Sequence, residues 1–278
     1  WFILEQFGAS PITHKSYLFE REHSLEKYNA NDLFLPYATS LRMSDVGYQS
    51  NIQDSLKISY NNLDEFINAL VKGIKTPVKK FNDIGMFDDA GIAQQISTGI
   101  LQIENELYDI VRPKRSGPSG SRPASLLKTG GIEYLELRGI DVNPFIPEGI
   151  DVSKIKLLDI YITHSLISES PLISDKEIEE IKANQKIMVS KGRLKNVMLS
   201  KNGDLISLAE LRKNFLAELE QTAEALDEYS EGYLEAFHLE INKNMLLSEK
   251  ILTEMDVKGF EFQEYALNQS KKIAENYD

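Results

Sequence analysis

A formal net charge of −12 over 278 residues sets a nucleic-acid partner aside, because neutralising phosphates takes clustered Lys and Arg and this surface repels them on average. At 42% hydrophobic the chain has apolar material for a sizeable core, as one large domain or two modest ones, and no run approaches the roughly 18 apolar residues of a membrane span. There is no Cys, and His occurs only at positions 14, 23, 164 and 238, so disulfides and thiolate metal sites are excluded and any metal must be held mainly by carboxylates, which favours Mg²⁺ or Mn²⁺ over zinc.

In chain order, Trp1 to Phe7 is an apolar run with no capping residue before it, expected to be a helix cut in mid-course and ended at Gly8, with Pro11 forbidding its continuation. On that ground the chain is expected to be a piece of a longer protein, and this opening helix to expose apolar surface. Residues 33–48 mix strand formers with an early Pro and a late Gly and offer Arg42, Asp45 and Tyr48 as polar handles. Asn62 with Glu65 makes a capping box ahead of Leu63, Phe66, Ile67, Leu70, Val71 and Ile74, an amphipathic helix stopped before Pro77.

Residues 96–110 fit a strand with Ile100, Gln102, Glu104, Glu106 and Tyr108 on one face and Leu101, Ile103 and Leu107 on the other; a helix is the competing reading. From Arg112 to Gly131 come Arg112, Lys114, Arg115, Arg122 and Lys128 with no acid, among many Gly, Ser and Pro. This reads either as a solvated loop or as a contact for an anion such as a nucleotide phosphate. Gly130 to Phe145 then alternates. As a strand it sends Ile132, Tyr134, Glu136 and Arg138 to one side and Glu133, Leu135 and Leu137 to the other, which sets a carboxylate and a guanidinium about 7 Å apart in one direction. A surface ion pair would give the same pattern.

Asp151 to Ile167 reads as a mostly buried helix with Ile155, Leu158, Ile162 and Leu166 inward and His164 as a packing residue. From Leu172 on, helix formers dominate, with capping boxes at Ser174/Glu177 and Ser207/Glu210, a stripe of Leu208, Leu211, Phe215, Leu219 and Leu226, and helices over 236–256 and 260–274 punctuated by Gly232 and Gly259. A helical cover on the core accounts for this region without chemistry. Residues 1–170 are thus expected to be a catalytic core portion, and 171–278 a helical region packed on the same domain.

Five motifs, in order, carry a resemblance: Phe7-Gly-Ala-Ser-Pro11, Leu35 to Tyr48, Leu101-Gln-Ile-Glu-Asn-Glu-Leu-Tyr108, Arg112-Pro-Lys-Arg115, and Gly130-Gly-Ile-Glu-Tyr-Leu-Glu-Leu-Arg138 through Asn143-Pro-Phe145. Together they resemble glutamate–cysteine ligase of the proteobacterial type. The resemblance implies an α+β fold, part of a funnel-like antiparallel sheet of the glutamine synthetase or carboxylate–amine ligase type with packed helices and a helical carboxyl-terminal region. It implies a cytoplasmic enzyme that uses ATP and Mg²⁺ or Mn²⁺ to join the γ-carboxylate of glutamate to the amine of cysteine through a γ-glutamyl phosphate, the first step of glutathione biosynthesis.

By the same matching, Glu136 is implied as a metal ligand and catalytic group, Arg138 as the contact to the transferred phosphoryl group, Tyr48 and Tyr108 as the lining of the cysteine site, and Arg42 as a substrate-binding arginine. The family's other metal and nucleotide ligands are implied to lie upstream of Trp1, so the chain alone is expected to be inactive. The alternatives are the ligase portion of a bifunctional glutathione-forming enzyme, and a non-catalytic helical interaction module suggested by acidic, helix-rich residues 172–278. The partners implied are glutamate, cysteine and ATP, with no nucleic acid and no membrane.

Overall fold

The computed structural model describes residues 1–19, 21–275 and 277. Among the described residues the helices and strands, in chain order, are α1 Phe2–Phe7, β1 Ile12–His14, β2 Glu26–Lys27, β3 Asp32–Phe34, α2 Leu63–Lys75, α3 Lys79–Ile84, β4 Val111–Lys114, α4 Pro123–Gly130, β5 Tyr134–Leu137, α5 Val152–Ile167, α6 Asp175–Lys191, β6 Met198–Lys201, β7 Asp204–Ser207, α7 Leu208–Asp227, α8 Tyr233–Ile241, α9 Leu247–Lys258 and α10 Phe262–Ala274. The strands form three small antiparallel sheets, β1-β3-β2, β4-β5 and β6-β7, so the architecture is α+β as expected. No helix among the described residues is long and apolar enough to cross a membrane.

The chain forms two compact units. One comprises 1–42, 140–171 and 183–278, the other 43–139 and 172–182. In the first, α1 is buried along its whole length, against the expectation that it would expose apolar surface. Trp1 and Phe2 meet Phe215 of α7 edge-on, and Phe2 stacks on Tyr161 of α5 with ring centroids 5.3 Å apart. Burying each such ring is worth about 1.5–3 kcal/mol. The helix also buries Glu5, whose carboxylate is bound by both Arg212 Nε and Nη2. In α5 the inward residues are Lys154, Leu157 and Ile160, whereas Ile155, Ile162 and Leu166 are exposed. The expected face is therefore wrong. α5 is apolar on several sides, and its orientation follows Lys154, whose Nζ lies 2.7 Å from the Gln6 carbonyl oxygen and 3.0 Å from Glu240 Oε2.

Two further corrections concern the carboxyl-terminal half. The helix expected over 236–256 is broken between α8 and α9, where Asn242 and Lys243 end α8 by donating their backbone N–H groups to His238 and Glu240. The segment expected to be purely helical also holds the β6-β7 hairpin, turned at Asn202-Gly203 with φ of 56° and 89°. Asn and Gly tolerate the left-handed conformation that such a tight turn requires.

In the second unit, α2 begins as expected. Asn62 Oδ1 accepts from Glu65 N at 2.8 Å and its Nδ2 donates to Glu65 Oε1 at 2.7 Å. α2 turns Phe66, Ile67 and Leu70 into a core with Leu56, Ile58, Ile100, Leu101, Leu107, Ala124 and Leu127. The Pro77–Gly99 bridge draws the chain so close that a Cβ on Gly99 would lie 2.2 Å from the Ile74 carbonyl oxygen. Residues 96–110 are not a strand. Apart from that bridge they are irregular, with one 3₁₀ turn over Glu104–Glu106, because Ile100, Leu101, Glu104 and Leu107 are all buried and no alternating face satisfies all four. The basic stretch 112–131 is largely ordered as β4 and α4.

Candidate functional site

β5 is shorter than the alternation suggests, and it pairs with β4 in the register Val111↔Leu137, Arg112↔Glu136, Pro113↔Leu135 and Lys114↔Tyr134. Just past the last pair, Arg138 N and Gly139 N both donate to the Ile110 carbonyl, at 2.7 and 3.3 Å. This holds Arg138 in line with the strand, so that it shares a side with Glu136. The two join directly, with Arg138 Nε donating to Glu136 Oε2 at 2.8 Å, while Lys114 Nζ lies 3.9 Å from the same oxygen. Burial alone would push the Glu136 carboxyl up, but Arg138, Lys114 and Arg112 outweigh it and hold it below the usual carboxylate range.

Next to this pair lies a tyrosine stack. Tyr108 and Tyr48 have ring centroids 4.6 Å apart and planes 15° from parallel, and the Arg138 guanidinium sits 5.1 Å from the Tyr108 ring centroid. Such a cation over an aromatic face is favourable by about 0.5–1 kcal/mol at a partly exposed site. Next to Tyr108 in the chain, Asp109 Oδ2 accepts from the Tyr60 hydroxyl at 2.8 Å, and that hydroxyl also donates to the Val111 carbonyl at 3.1 Å. Burial pushes both Asp109 and Tyr60 up. Four of the five residues singled out from the sequence, Tyr48, Tyr108, Glu136 and Arg138, thus come together in the second unit. The fifth, Arg42, belongs to the first unit, where its Nε donates to Asp141 Oδ1 at 2.5 Å and its Nη2 to the Ile140 carbonyl at 2.9 Å.

Three cations of 112–131 are engaged by groups of the protein itself, Arg112 in its interior. Arg112 is 1% exposed and its guanidinium faces main-chain carbonyls; Arg115 Nη1 donates to the Gly130 carbonyl; Arg122 binds Glu104 Oε1 through Nε and Nη2 at 2.9 and 2.6 Å. The inward role of Arg112 has no signal in the sequence, since the carbonyls that it answers belong to the 104–107 turn. A cavity of about 200 Å³ in the first unit is lined by Arg193, Lys195, Arg212 and Glu249. Two of its cations are likewise committed, Arg212 to Glu5 and Arg193 to the Pro36 and Ala38 carbonyls.

Among the described residues no group of three or more His, Cys, Asp or Glu side chains could hold a metal ion. Within the pair, Glu136 offers a part-exposed carboxylate, which suits Mg²⁺, an ion that keeps several waters and takes one or two protein carboxylates beside substrate phosphates.

The family model for glutamate–cysteine ligase matches residues 1–188. The glutamate–cysteine ligase of Pseudomonas putida KT2440 is 38% identical over 283 aligned residues, covering 100% of this chain and 54% of the relative, and that of Alcanivorax borkumensis SK2 is 37% identical over 280, covering 97% and 53%. The chain therefore spans about half the length of the curated relatives it matches. The crystal structure of the Francisella tularensis glutamate–cysteine ligase in complex with AMP superposes with a TM-score of 0.89 at 29% identity, covering 100% of this chain and 55% of that one. The bifunctional glutathione synthetase of Pasteurella multocida shares the fold, with a TM-score of 0.62 at 19% identity, covering 100% of this chain and 30% of that one. With a family model matching residues 1–188 and relatives of that name aligned over 97–100% of this chain, the chain belongs to the glutamate–cysteine ligase family.

Proposed function

We propose that the whole protein joins the γ-carboxylate of glutamate to the amine of cysteine at the expense of ATP, and that Glu136 and Arg138 act where the phosphoryl group is transferred. The observation that carries this reading is the carboxylate–guanidinium pair at the end of β5, set beside the Tyr48–Tyr108 stack in a chain of this family. In the balanced reaction a γ-carboxylate oxygen of glutamate attacks the terminal phosphorus of ATP and ADP leaves. The amine of cysteine then attacks the acyl phosphate carbon, loses a proton and expels phosphate.

Charge that spreads over the phosphoryl oxygens calls for preorganised donors, and a guanidinium fixed by Glu136 and by the Leu107 carbonyl supplies them without reorganising. Glu136 would be one ligand of Mg²⁺ or Mn²⁺, which when bound neutralises phosphate charge. The tyrosine stack offers a flat, partly apolar wall for the amine substrate. We place the enzyme in the cytoplasm, where its three substrates are found.

The test is steady-state kinetics on the full-length protein with ATP, glutamate and cysteine, with γ-glutamylcysteine measured as product. Arg138→Ala is expected to lower kcat by about 100-fold with little change in KM, and Arg138→Lys to rescue poorly. A kcat within about threefold of the parent would remove Arg138 from phosphoryl transfer.

A further inference from the structure

The chain turns sharply between Ile103 and Leu107 just before it delivers Tyr108 to the stack. The carbonyls of that turn converge on one side chain. Arg112 Nη1 donates to the carbonyls of Asn105 and Leu107 at 3.1 and 3.0 Å, and Nη2 to that of Glu104 at 3.2 Å. Converging carbonyl dipoles in a buried place repel one another and require a donor, and a planar fork with several N–H groups answers three of them at once. The Leu107 carbonyl is shared, since Arg138 Nη1 also donates to it at 3.4 Å. The turn is anchored on its other side through Glu104, whose Oε2 accepts from Ala124 N at 2.7 Å at the start of α4. Arg112 stands directly opposite Glu136 in the β4-β5 register.

We infer that Arg112 is a positioning residue for the candidate site: its fork fixes the 103–107 turn that sets Tyr108 against Tyr48 and Arg138, and it puts a permanent positive charge opposite Glu136. The inference rests on the ligase reading above for its kinetic consequences, and on the hydrogen-bond geometry alone for its structural one. The two actions are separable. Lysine keeps the charge and loses the fork, whereas methionine loses both. Removing the Glu104 anchor loosens the same turn and leaves the Arg112 charge in place.

The experiment uses the full-length protein in two readouts, kinetics and backbone hydrogen exchange over residues 102–110. Arg112→Lys is expected to raise the cysteine KM about tenfold with kcat within about threefold, because a small displacement of a substrate wall costs binding more than chemistry when the reacting groups are untouched. Its Mg²⁺ dependence should stay parental and its exchange over 102–110 should speed up. Arg112→Met is expected to add a shift of the Mg²⁺ dependence to lower concentration, because Glu136 stays ionised at neutral pH and a like charge beside the cation is removed. Glu104→Ala is expected to reproduce the cysteine effect and faster exchange without the Mg²⁺ shift, and it decides the matter if the Arg112 variants do not fold. Parental cysteine KM and parental exchange in Arg112→Lys and Glu104→Ala would overturn the inference, as would variants that only unfold at lower temperature while the folded enzyme keeps parental kinetics. If the parent protein forms no γ-glutamylcysteine, the ligase reading falls, and hydrogen exchange still decides whether Arg112 holds the turn.

Discussion

Two arginine–carboxylate pairs in this chain use the same chemistry to opposite ends. In the first unit, Asp141 is 4% exposed and fully engaged: Oδ1 accepts from Arg42 Nε at 2.5 Å, and Oδ2 from Ala9 N at 2.7 Å and Ser10 Oγ at 2.8 Å. In the second, the Glu136 side chain is 36% exposed, and its contacts to Arg138 and Lys114 both fall on Oε2, leaving Oε1 without a partner among the described residues. A saturated buried carboxylate has nothing left to offer a ligand. It serves as a strut that ties Ala9, Ser10 and Arg42 to residue 141. A half-open carboxylate held ionised by two cations retains an oxygen for a hard cation. The pairs differ in saturation and access rather than in residue type, and those separate a structural pair from a binding one.

The comparison breaks most readily at Asp141. Asp141→Ala leaves the Arg42 guanidinium, the Ala9 N–H and the Ser10 hydroxyl without their shared acceptor, and removing one partner of a buried pair costs about 3–5 kcal/mol. Denaturant unfolding of the full-length protein measures it. A loss below about 1 kcal/mol, the worth of an exposed pair, would mean that Asp141 is no strut and that the contrast with Glu136 is one of degree only.

The distinction between these pairs was only half legible in the sequence, and the reason is range. Features set by neighbours a few residues apart read out well. Asn62, Ser174 and Ser207 all cap helices, each accepting from the backbone N–H three residues on, which is a local hydrogen bond. The shared side of Glu136 and Arg138 followed from strand alternation. The Asn202-Gly203 hairpin carried an equally local signal and was overlooked among helix formers. What failed depended on distant partners. Residues 96–110 look strand-like in isolation, yet their apolar groups are drawn toward α2 and α4 from both faces of any strand. The inward face of α5 is chosen by Glu240 and the Gln6 carbonyl, far away along the chain. Arg112 looked like a free cation in a Gly- and Ser-rich loop because nothing local reveals that three carbonyls wait for it.

A smaller effect sharpens the comparison from the other side. Glu136→Gln keeps the shape and the capacity to accept from Arg138, and removes the charge that a hard divalent cation requires. Its half-saturating Mg²⁺ concentration is expected to rise by at least the roughly tenfold that even an outer-shell partner is worth. Activity titrated against Mg²⁺ decides it. Superimposable curves for parent and variant would return Glu136 to the surface ion pair that the sequence pattern also allows.

The smallest expected effect is the contribution of the Glu136 pair to stability. Its carboxyl is depressed in the folded state, where Arg138, Lys114 and Arg112 outweigh burial, from the ordinary value of 4.5. The folded protein therefore binds fewer protons at this position than the unfolded chain does as acid is added, so the stabilisation is fully present above pH 4.5 and is lost as pH falls through the lower, folded value. Because the pair is part-exposed and screened by salt, its worth is about 0.2–1 kcal/mol at most. Unfolding of the full-length parent and of Glu136→Gln, followed from neutral pH into acid, should show a small gap that closes only below pH 4.5 and that shrinks at high ionic strength. A gap of several kcal/mol, insensitive to salt, would make this pair a strut of the Asp141 kind, and the contrast between the two arginine–carboxylate pairs would fail.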